Sequence, residues 1–151
     1  TVWGFCPALV HNRSDGFVEN TAFKKNYGAI IDETALRFAV EGSVDERTTL
    51  ALTYRWYDID NGYDAFSLDN DNKTLSDEPG FDEHQTPAVS ARSTTNTAAC
   101  DFILIATHAS HNIAYGYDVD WTFTGFHPWG YTSFDAYYRD VETQTGEMRF
   151  V

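Results

Sequence analysis

Residues 100–123 have the sequence CDFILIATHASHNIAYGYDVDWTF. It begins with an apolar run, passes through small polar residues, and returns as a segment in which Tyr, Val and Trp alternate with Gly, Asp and Thr. Apolar residues at every second position are typical of a β-strand with one buried face. We therefore predict a β-hairpin that turns between His108 and His111.

The same alternation recurs along the chain, in LRFAV (36–40) and TLALTYRWY (49–57). Further strands are expected near 23–31, 86–95, 131–140 and 146–151, and Gly, Asp and Asn clusters separate most of them. Eight or nine antiparallel strands make an all-β protein. Such a sheet covers its apolar face by packing on a second sheet or by closing into a barrel, and the pattern leaves sandwich, jelly roll and barrel open.

The length of 151 residues predicts a single domain spanning 1–151. Residues 1–20 are expected to form an N-terminal arm. The segment SLDNDNKTLSDEPGFDEHQ (67–85) is irregular and strongly acidic, which predicts a long loop.

Charge and hydropathy exclude two classes of partner. The chain has 23 acidic and 10 basic residues, a net charge of −13 that repels nucleic acid and anionic lipid. No run of about 18 apolar residues is present, so membrane insertion is not expected.

Two cysteines, Cys6 and Cys100, lie far apart without metal-site spacing, which leaves one long-range disulfide or two free thiols. Asn12 and Asn72 each begin an N-x-[ST] glycosylation sequence in polar segments. Together these features favour a secreted, oxidised protein in which Cys6 and Cys100 are bridged and Asn12 and Asn72 carry glycans.

Residues with catalytic chemistry are sparse. No nucleophile elbow, phosphate loop or dinucleotide motif occurs, so we assign no catalytic residue and no required cofactor. Asp58, Asp60 and Asp64 surround Gly62 and offer an alternative calcium site, although turn formation explains them equally well. His108 and His111 supply two zinc-type ligands without a third.

The aromatic content, 16% of the chain, is the main functional signal. The alternation predicts that Tyr54, Trp56, Tyr115, Tyr117 and Trp121 point inward together. Because a buried tyrosine hydroxyl needs a hydrogen-bonding partner, this predicts a cavity that holds polar groups, water or a ligand. An interface between subunits explains the rings equally well.

The hairpin resembles the second signature region of the lipocalins: FILIATHASHNIAYGY keeps the apolar run, Ala106-Thr107, Asn112 and the Ala114-Tyr115 return. The start GFCPALVHN is similar to the arm of secreted animal lipocalins. The resemblance implies an up-and-down eight-stranded barrel that carries a small hydrophobic molecule, such as a carotenoid, bilin or retinoid. The residues expected to line the ligand site are Phe38, Tyr54, Trp56, Phe102, Leu104, Tyr115, Tyr117 and Trp121.

Two other functions remain open. One is a calcium-dependent carbohydrate-binding sandwich in which Trp56, Trp121 or Trp129 forms a stacking platform. The other is a barrel enzyme with His108 or His111 as base. The loop HPWGY (127–131) places Trp129 and Tyr131 where exposed aromatic residues anchor partners, which favours a homo- or hetero-oligomer.

Overall fold

The computed structural model describes residues 2–26, 30–62 and 66–151. Six long strands form one antiparallel sheet in the order β1-β4-β5-β7-β8-β9, and three short strands form a second sheet in the order β3-β2-β6. The described residues contain no helix that could cross a membrane. The strands are β1 (Trp3–Ser14), β2 (Glu19–Asn20), β3 (Lys25–Asn26), β4 (Ile31–Ser43), β5 (Thr48–Asn61), β6 (Lys73–Thr74), β7 (Phe81–Asn96), β8 (Asp101–Asp118) and β9 (Phe134–Phe150).

The all-β prediction is confirmed, and the six-stranded sheet is antiparallel, most clearly in the hairpin of β4 and β5, whereas β2 and β6 of the small sheet pair in parallel. Phe38 pairs with Tyr54, and residues two apart on each strand share that face. The turn is set by Asp45, whose carboxylate accepts the backbone N–H groups of Arg47 and Thr48, each at 2.8 Å. Those hydrogen bonds lower the pKa of Asp45.

The predicted hairpin at residues 100–123 is wrong, because residues 101–118 form the single strand β8. Thr107 pairs with Ser90 of β7 and with Thr145 of β9, at the place where the chain was expected to turn. The segment THASHN contains no glycine or proline, the residues that most strongly favour a tight turn. The strand instead continues and pairs with β9 at every position from Phe102 to Asp118, which satisfies backbone groups that a turn would leave unpaired.

Other predicted boundaries also shift. The strands expected near 131–140 and 146–151 are one strand, β9. Residues 3–14 of the expected arm form β1, an edge strand of the large sheet. The expected loop 67–85 contains β6 and the first five residues of β7.

The large sheet is open. β1 pairs only with β4 and β9 only with β8, at opposite edges of the sheet described here. Closure into a barrel requires those edges to pair, so the eight-stranded barrel is not confirmed. Each strand of the second sheet is two residues long, too short to cover the large sheet as in a sandwich.

A buried polar junction holds the short strands to the end of β8. Asn20 Nδ2 donates to the Ser76 carbonyl at 2.7 Å, and the Ser76 hydroxyl donates to Asp118 Oδ2 at 2.5 Å. Asp118 Oδ1 accepts the backbone N–H of Trp121 at 3.1 Å. Buried polar side chains are stable when they are satisfied in this way, so polar contacts rather than apolar packing fix this end of the molecule.

The predicted disulfide is wrong, because Cys6 and Cys100 are both free thiols. Cys6 lies in β1, and Cys100 directly precedes β8, which is four strand positions away across the sheet. At about 4.8 Å per strand the separation is about 19 Å, well beyond the reach of a disulfide.

Candidate ligand-binding face

One surface of the large sheet, called here the apolar face, carries apolar side chains on all six strands. Residues paired across neighbouring antiparallel strands lie on the same face, as do residues two apart along a strand. The strand registers therefore assign the members to one surface. They are Trp3, Phe5, Pro7, Leu9, Leu36, Phe38, Val40, Leu50, Leu52, Tyr54, Trp56, Pro87, Val89, Ala91, Phe102, Leu104, Ala106, Gly146, Met148 and Phe150.

This face is open to solvent. Among the described residues, the buried apolar side chains are Val18 and Ala109, and neither belongs to the apolar face. Met148 is 59% exposed and Phe150 69% exposed. Contiguous apolar surface of this extent makes the face a candidate site for an apolar ligand or a protein partner.

A trough of about 520 Å³ crosses the apolar face over β7, β8 and β9. Its floor is a row of small paired residues, Ala91, Ala106 and Gly146. Leu104 and Met148 flank the floor. The space above the floor is empty, since a Cβ built at Gly146 meets no atom within 4 Å. The volume lies within the range of about 300–1,000 Å³ that is typical of small-molecule sites.

Of the eight predicted ligand residues, five lie on the apolar face: Phe38, Tyr54, Trp56, Phe102 and Leu104. Leu104 lines the trough itself. Phe38, Tyr54 and Trp56 belong to β4 and β5, on the other half of the same face.

Tyr115 and Tyr117 lie on the opposite face of the sheet. Phe102 and Leu104 occupy even positions of β8 and the two tyrosines odd positions, so one continuous strand directs them to opposite sides. The prediction placed them together because it assumed a turn between them. Tyr115 stacks on Tyr137 of β9, with ring centroids 5.3 Å apart.

Trp121 lies outside the sheet, in the turn that follows β8. Its φ angle of 58° is in the left-handed region, and its indole stacks on Phe66 at 4.7 Å with an interplanar angle of 8°. The backbone N–H bond to Asp118 helps hold this conformation. Trp121 is therefore separate from the apolar face.

The other end of the same face is acidic. Asp58, Asp60, Glu83 and Asp140, called here the acidic end, lie around a groove of about 440 Å³. Gln85 Nε2 donates to Asp58 Oδ1 at 2.9 Å. The face thus changes from apolar to anionic along the strands.

The alternative calcium residues give no assembled site in the part of the chain that is described. Asp58 and Asp60 share one face of β5, and Asp64 lies outside the described residues. Within 2–26, 30–62 and 66–151, no three His, Cys, Asp or Glu side chains are grouped so as to hold a metal ion.

The two predicted histidines do not face a common site. His108 lies beside Val89 and Gln144 at the border of the apolar face. His111 points to the opposite face, where its Nδ1 is 3.0 Å from the Thr86 hydroxyl. That hydroxyl also lies 2.7 Å from Nε2 of His84, so Thr86 links two imidazoles on the side away from the trough.

Two carboxyl groups near the polar junction have altered acidity. Burial raises the pKa of Asp118, against the opposing effect of the Ser76 hydroxyl. Burial also raises the pKa of Glu78, and the negative charges of Asp77, Asp118 and Asp120 raise it further. These groups lie at the junction rather than in the trough.

The remaining predicted positions are on the surface. Trp129 is 80% exposed, and Tyr131 is also exposed. The side chain of His127 stacks on Trp129 at an interplanar angle of 9°. Asn12 and Asn72 are both exposed, which leaves glycosylation of both as a prediction.

The trough floor is a candidate site feature that was not predicted from the sequence. Large aromatic residues were expected to form the site, whereas the depression arises because Ala91, Ala106 and Gly146 are small and adjacent. A glycine inside a predicted strand is the one sequence signal available, since it often marks a close approach of another group. The pairing of three strands that brings the small residues together is not visible in the sequence.

Comparison of the chain with protein-family models, with curated proteins and with solved structures finds no match.

Proposed function

We propose that this chain is a secreted, non-catalytic binding protein that holds a small hydrophobic molecule on the apolar face. The observation that supports this most strongly is the open trough over β7, β8 and β9. Its floor of Ala91, Ala106 and Gly146 leaves room for a ligand, and five predicted ligand residues share its face.

The chemistry of the trough defines the ligand class. Among the described residues, no lysine or arginine lines the trough, and the one charged residue that does, Glu147, is hydrogen-bonded to Arg149. A ligand carboxylate would therefore lie in an apolar site without a cationic partner, at a large desolvation cost. We propose an uncharged ligand, of the retinol or carotenoid type rather than an acidic bilin.

Aromatic side chains give the face a preference for flat molecules. Phe38 and Tyr54 pair across β4 and β5, and Phe102 contacts Phe150 with ring centroids 5.1 Å apart. Each favourable stacking arrangement adds about 0.5–1.5 kcal/mol beyond the burial of area. A conjugated ligand extending from the trough would gain these contacts.

The test is a fluorescence titration with retinol and with the uncharged fluorophore N-phenyl-1-naphthylamine. Gly146→Leu fills the trough without a steric clash, so we expect it to fold and to weaken binding at least about tenfold, since about 1.4 kcal/mol corresponds to that factor. Thr145→Leu, its neighbour on the opposite face, is the matched control and should bind normally. Equal binding by both variants would contradict the proposed site.

A further inference from the structure

The apolar face is a six-stranded layer that the described residues of the chain leave uncovered. We propose that two copies pack face to face through it and form a sandwich across chains. The partner is a second copy of this chain, and the dimer does not depend on a ligand.

The accessible surface of the chain supports an uncovered layer. It measures 9990 Å² for a mass of 17.1 kDa. A compact monomer of that mass exposes about 7,750 Å², about 2,200 Å² less. An excess of this size is expected for a wide single-layer sheet, and the uncovered apolar face accounts for part of it.

The dimensions of the face match a stable dimer. Six strands at about 4.8 Å span about 29 Å across the sheet. Along the strands, the apolar block includes Leu36 to Gly42 on β4 and one further row of paired residues, and it extends about 27 Å. Their product is about 780 Å² per chain. Two copies would bury roughly 1,600 Å², the standard size of a specific protein interface.

Repulsion between the two acidic ends favours one orientation of the two copies. A two-fold axis parallel to the strands would place the two acidic ends over one another, with Asp58, Asp60, Glu83 and Asp140 of each copy in opposition. An axis perpendicular to the strands, in the plane of the interface, places the acidic ends at opposite ends of the dimer. Like charges brought together cost free energy, so the second orientation is favoured.

In this orientation β9 lies over β9 of the second copy, and the two trough floors face each other. Gly146 of one copy would lie about 10 Å from Gly146 of the other, the usual distance between packed sheets. A ligand in the trough would then be enclosed on both sides. That last step rests on the proposed function, whereas the dimer itself does not.

Sedimentation equilibrium of ligand-free protein tests the dimer. We expect twice the mass of one chain at about 100 µM, because interfaces of this size have dissociation constants of about 1 µM or below. Met148→Glu should raise the dissociation constant about a hundredfold or more, since it buries an unpaired carboxylate in each copy. Thr143→Glu, on the same strand but the opposite face, should leave it unchanged. A monomeric wild type, or equal dimerisation by the two variants, would overturn the proposal.

Cross-linking supplies a test that does not need a charged variant to fold. With Cys6 and Cys100 changed to serine, Gly146→Cys should link two chains through a short bis-maleimide, and Thr143→Cys should not. A cross-link at residue 143 and none at residue 146 would also overturn the proposal.

A dimer that binds neither retinol nor the fluorophore would refute the proposed function alone, and a monomer that binds them would refute the dimer alone.

Discussion

At the scale of single residues, Asp118 connects three parts of the chain. Its carboxylate accepts the Ser76 hydroxyl and the backbone N–H groups of Asp120 and Trp121, and the side chain is fully buried. Removing the acceptor leaves buried donors without a partner. Asp118 therefore holds the short sheet and the Trp121 turn to the end of β8.

We expect Asp118→Ala to lower the free energy of unfolding by about 2 kcal/mol, because of the unsatisfied donors. Asp118→Asn should lose less than half of that, since its oxygen keeps the backbone bonds and its amide can donate to Ser76. Urea denaturation followed by circular dichroism measures both. Equal losses for the two substitutions would show that the hydrogen bonds at Asp118 do not stabilise the junction.

The same carboxyl gives a pH dependence with a definite sign. Because burial raises the pKa of Asp118 above its ordinary 3.8, the folded protein binds this proton more tightly than the unfolded chain. The stability that Asp118 contributes through this proton is complete below pH 3.8 and is lost as the pH rises through the folded-state pKa. The stability of the wild type relative to Asp118→Asn should therefore increase as the pH is lowered from neutral towards 3.8. If the difference in unfolding free energy between the wild type and Asp118→Asn did not change with pH, the raised pKa of Asp118 would be contradicted.

At the scale of elements, β8 is the strand on which the fold depends. It pairs along almost its whole length with β7 and β9, and Ala109 lies at its centre between Ala88 and Thr143. Ala109 is also one of the two buried apolar side chains among the described residues.

Ala109→Pro distinguishes a continuous strand from a hairpin. In a central strand, proline removes a ladder hydrogen bond and is excluded by its neighbours, so we expect a loss of about 3 kcal/mol or more and little folded protein. Thermal unfolding monitored by circular dichroism measures the effect. A stable Ala109→Pro variant would show that the chain turns at this position.

The sequence predicts some elements well and others not at all. Alternation in β4 and β5 correctly assigns Phe38, Tyr54 and Trp56 to one face, because each strand is regular and the turn at Asp45 is short. In β8 the polar residues from Thr107 to Asn112 resemble a turn sequence. A turn predicted at this place assigns the later residues of the strand to the wrong face of the sheet. A one-residue change of parity has this consequence in any strand.

At the scale of the whole molecule, alternation shows that one face of a strand differs from the other but not what covers the apolar side. A barrel, a sandwich and a single layer completed by another chain all give the same pattern. The apolar face and its trough therefore depend on the strand order, with β1 and β9 at opposite edges, which the sequence leaves open. The net charge of −13 indicates a soluble surface around an apolar site but does not locate that site.

A methyl NMR titration with retinol, on protein labelled at leucine, methionine and isoleucine, tests the proposal that the hydrophobic ligand binds on the apolar face. We predict shifts at Leu50, Leu104 and Met148, which line the trough, and none at Ile103 and Ile113, which belong to the same strand as Leu104 but point to the opposite face. Shifts confined to the two isoleucines, with Leu50, Leu104 and Met148 unchanged, would contradict the proposed ligand site on the apolar face.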